Sequence, residues 1–280
     1  MKLYALLSLL LLIGCSNSEA PSDAATTSPS LVEYQDTPAR GDRLVDASIG
    51  DATNLIPMIA GDASSHAIAG QLYLSLLRYD KNLDLTGQLA ESWEISEDNL
   101  KITFHLRPDL RWSDGVQLTS ADCLFTLQLM QDDNTQSAYK ADYIIVKGAE
   151  APDPLTFIVH YDEPFSPALS SWASLAMLPK HIFENENIMD TALSRQPKAS
   201  IGPYKLAKWD SQQSILMRSN EDYFDGPVWI KERLTRIIPD RATQFLELSA
   251  GRLDSVGLSP MQYSRLFETK DVLRNNFNRY

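Results

Sequence analysis

A chain of 280 residues is long enough for one large domain or two, and 44% hydrophobic with 22% charged residues suits a globular body with a sizeable core. Acidic residues outnumber basic ones 37 to 25, giving a net charge of −12 with no run of Lys or Arg to interrupt it; such a field repels phosphate backbones and argues against nucleic acid as a partner. His66, His105, His160 and His181 show no metal-ligand spacing with Cys or acidic residues, and neither a phosphate-cradling glycine loop nor a G-x-S-x-G elbow occurs, so no cofactor, metal or enzymatic activity is expected.

The chain opens with Lys2 and then an almost unbroken apolar run from Leu3 to Ile13. That run is far short of the ~20 residues needed to cross a hydrocarbon core, which marks it as the h-region of a signal peptide. It closes as Leu12-Ile13-Gly14-Cys15, an ending that resembles the bacterial lipobox, in which the cysteine is acylated. The expectation is therefore a signal peptide over 1–14, a lipid anchor on Cys15, and a protein facing the periplasm or the cell exterior. Residues 15–40, rich in Ser, Thr, Ala, Pro and acidic side chains, have little to bury and are predicted to form a disordered tether. Cys123 is the other cysteine, so an intramolecular disulfide is not expected once Cys15 is acylated, and Cys123 is predicted to be a small buried hydrophobe.

The body over 41–280 begins with alternation at 43–49, read as the opening strand, followed by a loop ending at Pro57. Residues 61–65 precede a helix whose face is Ile68, Leu72, Leu76 and Tyr79. Alternation at 92–95 and 101–106, with Glu97-Asp98-Asn99 between, predicts a hairpin. Ser113-Asp114-Gly115 is a tight turn. Thr119 with Asp122 three residues on is an acidic variant of the capping box, opening a helix with Leu124, Leu127 and Met130 on its apolar face. Residues 143–146 and 155–161 read as a further strand pair around Pro152-Asp153-Pro154. A helix follows from 163 through Leu169, Trp172 and Leu175. Residues 206–209 and 215–218 form a hairpin, 233–238 a strand, and 242–248 a helix stopped by Gly251, with a strand beginning at Leu253-Asp254.

The run LAESWEISEDNLKITFHLRPDLRWSDGVQLTSAD over 89–122, with Leu178-Pro179-Lys180-His181, the turn Gly202-Pro203-Tyr204, the turn over 220–226 and the step Gly251-Arg252-Leu253-Asp254, resembles the extracytoplasmic peptide-binding proteins of ABC importers, the oligopeptide and dipeptide binders. Ser200-Ile201 stands where that family more often has Thr-Gly. The resemblance implies a mixed α/β fold: a type II periplasmic-binding-protein lobe with a mixed sheet and a hairpin subdomain. It runs from Arg43 to Tyr280 but over only the first half of the family's length, so the second lobe and the returning segment are expected to be missing. The lobe-two carboxylate that holds a peptide's α-amino group would be missing with them.

By position, the same resemblance makes Asp62, Ala63, Ser64 and Ser65 candidates for the wall of a ligand cleft, although a helix N-cap explains Ser64 and Ser65 equally well. Tyr139 is a further candidate, offering a flat face and a hydroxyl. Trp172 is a candidate for the cleft beside its reading as core. The implied partners are a peptide or other small solute, the subunits of an ABC permease, and the membrane through the lipid; a monomer is expected. Relatives also carry metal chelates, haem or sugars, so the ligand stays open. Two other readings stand beside this one: a surface interaction lipoprotein that has lost transport, and an acyl enzyme through Ser137-Ala138-Tyr139-Lys140, an S-x-x-K match that lacks its partner motifs.

Overall fold

The fold is given by a computed structural model that describes residues 40–226 and 228–268. The chain separates into Met1–Pro38 and Ala39–Tyr280, and the described residues all belong to the second unit. The signal-peptide and lipidation readings, and the tether apart from Arg40, lie outside the described residues.

In chain order the elements are β1 (Gly41–Ser48), α1 (Ala63–Leu72), β2 (Leu77–Tyr79), β3 (Leu85–Gly87), β4 (Ala90–Ile95), β5 (Lys101–Leu106), α2 (Ser120–Gln131), α3 (Ala141–Ile144), β6 (Val146–Asp153), β7 (Thr156–Tyr161), α4 (Ala168–Trp172), α5 (Lys180–Phe183), β8 (Tyr204–Asp210), β9 (Ser214–Ser219), β10 (Ile230–Ile237), α6 (Arg241–Ser249) and α7 (Pro260–Glu268). They build two four-stranded sheets and a short β2–β3 ribbon. The first sheet has the order β1-β10-β9-β8, with β1 parallel to β10 and the rest antiparallel. The second, β4-β5-β7-β6, is antiparallel throughout. Mixed sheet and hairpin subdomain both match the expected lobe.

The second sheet is a segment inserted between β1 and β8, and its two central strands, β5 and β7, are two-faced. Ile102, Phe104, Leu106, Phe157, Val159 and Tyr161 point inward and are buried, while Lys101, Thr103, His105, Ile158 and His160 alternate with them. α2 packs on the inner face. Its start is the expected capping box: Thr119 receives the N3 main chain and Asp122 Oδ2 accepts from Thr119 N at 2.8 Å. Asp122 also accepts from Lys180 N at 2.8 Å through its other oxygen, tying α5 to the cap. Burial pushes the Asp122 carboxyl up, against the pull of these hydrogen bonds. Cys123 is fully buried one position on, as expected.

Trp172 lies at the centre of this core. Its ring centroid is 5.4 Å from Phe157, 5.6 Å from Phe104 and 5.9 Å from Tyr143, and its Nε1 donates to the Tyr161 hydroxyl at 3.0 Å. It has no exposed surface, so its placement on a cleft wall is corrected. An indole buried with its one polar atom satisfied belongs to the hydrophobic core.

Four element readings also change. α1 stops at Leu72, and Leu76 and Tyr79 fall outside it, because Ile201 N and Gly202 N both donate to Leu72 O at 2.9 Å and turn the chain there. Tyr143 and Ile144 are helical, drawn in by the Tyr143 hydroxyl, which donates to Ser171 O at 2.7 Å from inside the core. The helix expected from 163 is confined to Ala168–Trp172. Leu253-Asp254 is an irregular segment whose Asp254 binds the edge of β1.

Candidate functional site

α1 begins at a tightly bonded corner. Asp62 is the N-cap, in extended conformation, and its carboxylate accepts from Ser65 N at 2.8 Å, Ser65 Oγ at 2.6 Å and Thr53 Oγ1 at 2.6 Å. Ser65 Oγ in turn accepts from Thr53 N at 2.9 Å and Asn54 N at 3.2 Å. Partial burial raises the Asp62 carboxyl, but the donors from Ser65 and Thr53 together outweigh it, and the group rests below the usual carboxylate range. Asp62 and the fully buried Ser65 are thus committed to fixing where α1 starts and how the preceding loop approaches it. Ser64 turns the other way, its hydroxyl 2.7 Å from that of Ser48, which donates to Gly50 O. Ala63 is exposed.

Ala63 and Ser64, with Ala67 and Ile68, form one wall of a groove of about 370 Å³. Its floor is the β1–β10–β9 part of the first sheet. Alternation along these strands brings Asp46 and Ser48, Arg233, Thr235 and Ile237, and Ile215 and Met217 to one face. The far wall is Arg241 and Gln244 of α6 with residues 255–257. About half of the lining residues are aliphatic, and several of the polar ones are held in place. Arg233 Nη2 donates to Asp46 at 2.9 Å, with its guanidinium carbon 5.9 Å from the Tyr204 ring centre. Asp46 Oδ1 and Arg233 Nε are buried without a partner among the described residues. Gln244 is only 2% exposed; its Nε2 donates to Ile238 O at 2.6 Å, which directs the amide and leaves Oε1 as an acceptor. A half-aliphatic trough with oriented polar groups suits an organic solute held by shape and a few hydrogen bonds.

Tyr139 stands at a different cavity. Its hydroxyl is 3.0 Å from His66 Nε2, and the two rings meet edge to face at 5.8 Å. This second cavity, also about 370 Å³, is lined by Met58, Met130, Asp142, Tyr143 and Leu175 in addition to that pair. The structure therefore brings Ala63 and Ser64 together in one groove and Tyr139 with His66 in another, while Asp62 and Ser65 support α1 from below. Asp46, Arg233, Thr235 and Gln244 went unread in the sequence. The alternation at 233, 235 and 237 was the available signal, but nothing local says which face of that strand meets a groove.

The S-x-x-K match does not assemble a nucleophile. Lys140 Nζ donates to the carbonyls of Asp132 and Thr135, pinning the loop, and Ser137 Oγ accepts from Tyr139 N at 3.2 Å. Among the described residues, no group of three or more His, Cys, Asp or Glu is placed to hold a metal ion.

Residues 84–280 match the family model described as bacterial extracellular solute-binding proteins, family 5. Over 261 residues the chain is 27% identical to the oligopeptide-binding protein AppA of Bacillus subtilis, covering 91% of this chain and 46% of that one. The periplasmic oligopeptide-binding protein OppA of Haemophilus influenzae is 29% identical over 219 residues, which is 71% of this chain and 40% of that one. The solved structure of B. subtilis AppA with a nonapeptide superposes with a TM-score of 0.78 at 26% identity, covering 82% of this chain and 46% of that one. H. influenzae OppA in complex with RPPGFSPFR gives 0.73 at 27% identity, with 83% and 49% covered. The chain thus spans less than half the length of these curated relatives. Fold and a match over most of the described body agree: this chain belongs to the bacterial extracellular solute-binding proteins of family 5.

Proposed function

We propose that the groove between α1 and α6 is one wall of a binding site for peptides outside the cytoplasmic membrane, and that the protein delivers its solute to the permease of an ABC importer. The observation that carries this is the groove itself: an open, half-aliphatic trough on a rigid sheet, with Gln244 Oε1, the Ser48–Ser64 hydroxyls and the Asp46–Arg233 pair among its oriented polar groups. The oligopeptide binders among its relatives support the solute class. In this reading Ala63 and Ser64 touch ligand, Asp62 and Ser65 position them, and Tyr139 with His66 belongs to an adjoining subsite.

The test is photo-crosslinking with a benzophenone-bearing tripeptide, which reports weak as well as tight binding. Label is expected on 63–67, 241–244 and 255–257. Label spread evenly over the surface, or confined to the second sheet, would overturn the assignment. Mass spectrometry of small molecules that copurify with the protein then identifies the solute. Lipid anchoring through Cys15 is part of the same proposal, and a Cys15→Ser variant should lose both incorporated fatty acid and membrane association.

A further inference from the structure

The first sheet has two outer edges, and they are finished differently. At β1, Asp254 closes the edge: its Oδ2 accepts from Val45 N at 2.7 Å and its own N–H donates to Val45 O at 2.7 Å. At β8, the outward main-chain groups of residues 205–209 take no hydrogen bond from elsewhere among the described residues. Beside that open edge is a slot of about 360 Å³, lined by residues 206–209 of the strand and by Arg195, Gln196 and Pro197.

The two charged side chains that line the slot, Arg195 and Lys208, are both basic, with Asp210 beside Lys208 and Asp51 behind Trp209. Residues 195–209 contain Arg195, Lys198, Lys205 and Lys208 and no acidic side chain, in a chain of net charge −12. Arg195 is held in place: its guanidinium carbon is 4.0 Å from the Trp209 ring centre and Nη2 donates to Ser211 Oγ at 3.3 Å. Trp209 is itself fixed through Nε1, which donates to Asp51 at 2.9 Å. Lys208 is exposed and pairs with Asp210 at 2.7 Å.

We infer that the outer edge of β8 is a docking surface for an extended, acidic segment of a partner protein, which adds as a further strand with carboxylates facing Arg195 and Lys208. Main-chain groups of an edge strand supply affinity for any extended chain, and the charges beside it select among them. An arginine already stacked and oriented loses less entropy on gripping a carboxylate in the two-pronged geometry it favours. Lysines and a register shift at an edge also guard against self-association, and β8 has both, the shift falling between Leu206 and Lys208. Guarding calls for no ordered arginine on the facing segment, whereas an acidic partner does. The surface is independent of the solute groove: β8 lies at the opposite edge of the sheet from β1, so both can be occupied together.

The experiment titrates the isotopically labelled 280-residue protein with a synthetic peptide of alternating glutamate and valine, with the lysine–valine peptide as control, and follows amide and indole signals by NMR. Shifts are expected on 195–198, on β8 and on the Trp209 indole, with the glutamate peptide alone, weakening as salt is raised. Arg195→Glu combined with Lys208→Glu should weaken binding by at least about tenfold; both side chains are exposed, so the spectrum elsewhere should be unchanged. Absence of shifts, equal shifts with the lysine peptide, or binding indifferent to the charge reversal would overturn the proposal and leave the lysines as guards only. A concentration-dependent dimer through β8 without peptide would overturn it as well, in favour of a second copy as occupant.

Discussion

Gly202 meets the end of α1 more closely than any side chain allows, and Gly202→Ala should be severely destabilising. A Cβ there would lie 2.2 Å from Gln71 O and 2.8 Å from its carbonyl carbon, so the two backbones must separate by about 1 Å to reach ordinary contact. Neither can yield alone, because Ile201 N and Gly202 N both bond Leu72 O at 2.9 Å and Asn220 Nδ2 bonds Gly202 O at 3.0 Å. Overpacking of this kind costs about 1–3 kcal/mol. Stretching the two buried main-chain bonds adds about 0.5–1.5 kcal/mol each, for a total of about 2–6 kcal/mol. That is a large part of the ~5–15 kcal/mol that holds a typical protein folded. Urea unfolding, followed by tryptophan fluorescence and far-ultraviolet circular dichroism together, measures it as a lower midpoint at unchanged slope. Gly70→Ala is the matched control: it is an exposed helical glycine with nothing within 4 Å of the added carbon, and it should gain about 0.5–1 kcal/mol. A loss below about 1 kcal/mol for Gly202→Ala would refute the claim that this contact fixes α1 against the first sheet.

Asp62→Ala removes the acceptor shared by Ser65 and Thr53 and should cost about 1–2 kcal/mol, again read from the urea midpoint, while Asp62→Asn should keep part of that loss back. Glu247 accepts from Arg252 at 2.8 and 2.9 Å and from Arg236 at 2.8 Å, and these bonds hold its carboxyl at about 2. A depressed carboxyl stabilises the fold above its unfolded value near 4.5 and loses that contribution as pH falls toward about 2. The difference in melting temperature between the native protein and Glu247→Gln should therefore be full at neutral pH and shrink across that window; a constant gap would contradict the pairing. The Cys123 thiol is pushed well up by burial and by Asp122 beside it, so peptide mapping after thiol labelling should find it unmodified in native buffer and modified in denaturant.

Where the determining contacts are local, the sequence was readable. Thr119 and Asp122 cap a helix within four residues, and the 92–95 and 101–106 strands alternate around a turn that needs Asn99 at φ 59°. Where a distant residue decides, it was not. Tyr143 is helical because its hydroxyl reaches Ser171, and α1 ends at Leu72 because a turn 130 residues later takes that carbonyl. The site shows the same division. Asp62 to Ser65 could be placed at the start of a helix, but only the folded chain shows that two of the four face inward to hold the corner. Tyr139 could be marked as a useful side chain, whereas its partner His66 lies 73 positions away. Arg195 and Lys208 stand thirteen positions apart in the sequence, and only the slot beside β8 brings them together.

The parallel pairing of β1 with β10 sets an order on assembly. Gly41 meets Ile230 and Ser48 meets Ile237, so the first strand of the body waits for a partner 189 residues further along the chain. The whole β2–β7 segment lies between the two, with sheet, α2 and aromatic core in local reach of one another. The second sheet can thus fold as a unit while β1 remains an unpaired strand, and closure of the first sheet becomes the slow, high-contact-order step. Refolding should show two phases, with the indole signal of Trp172 recovering before that of Trp209.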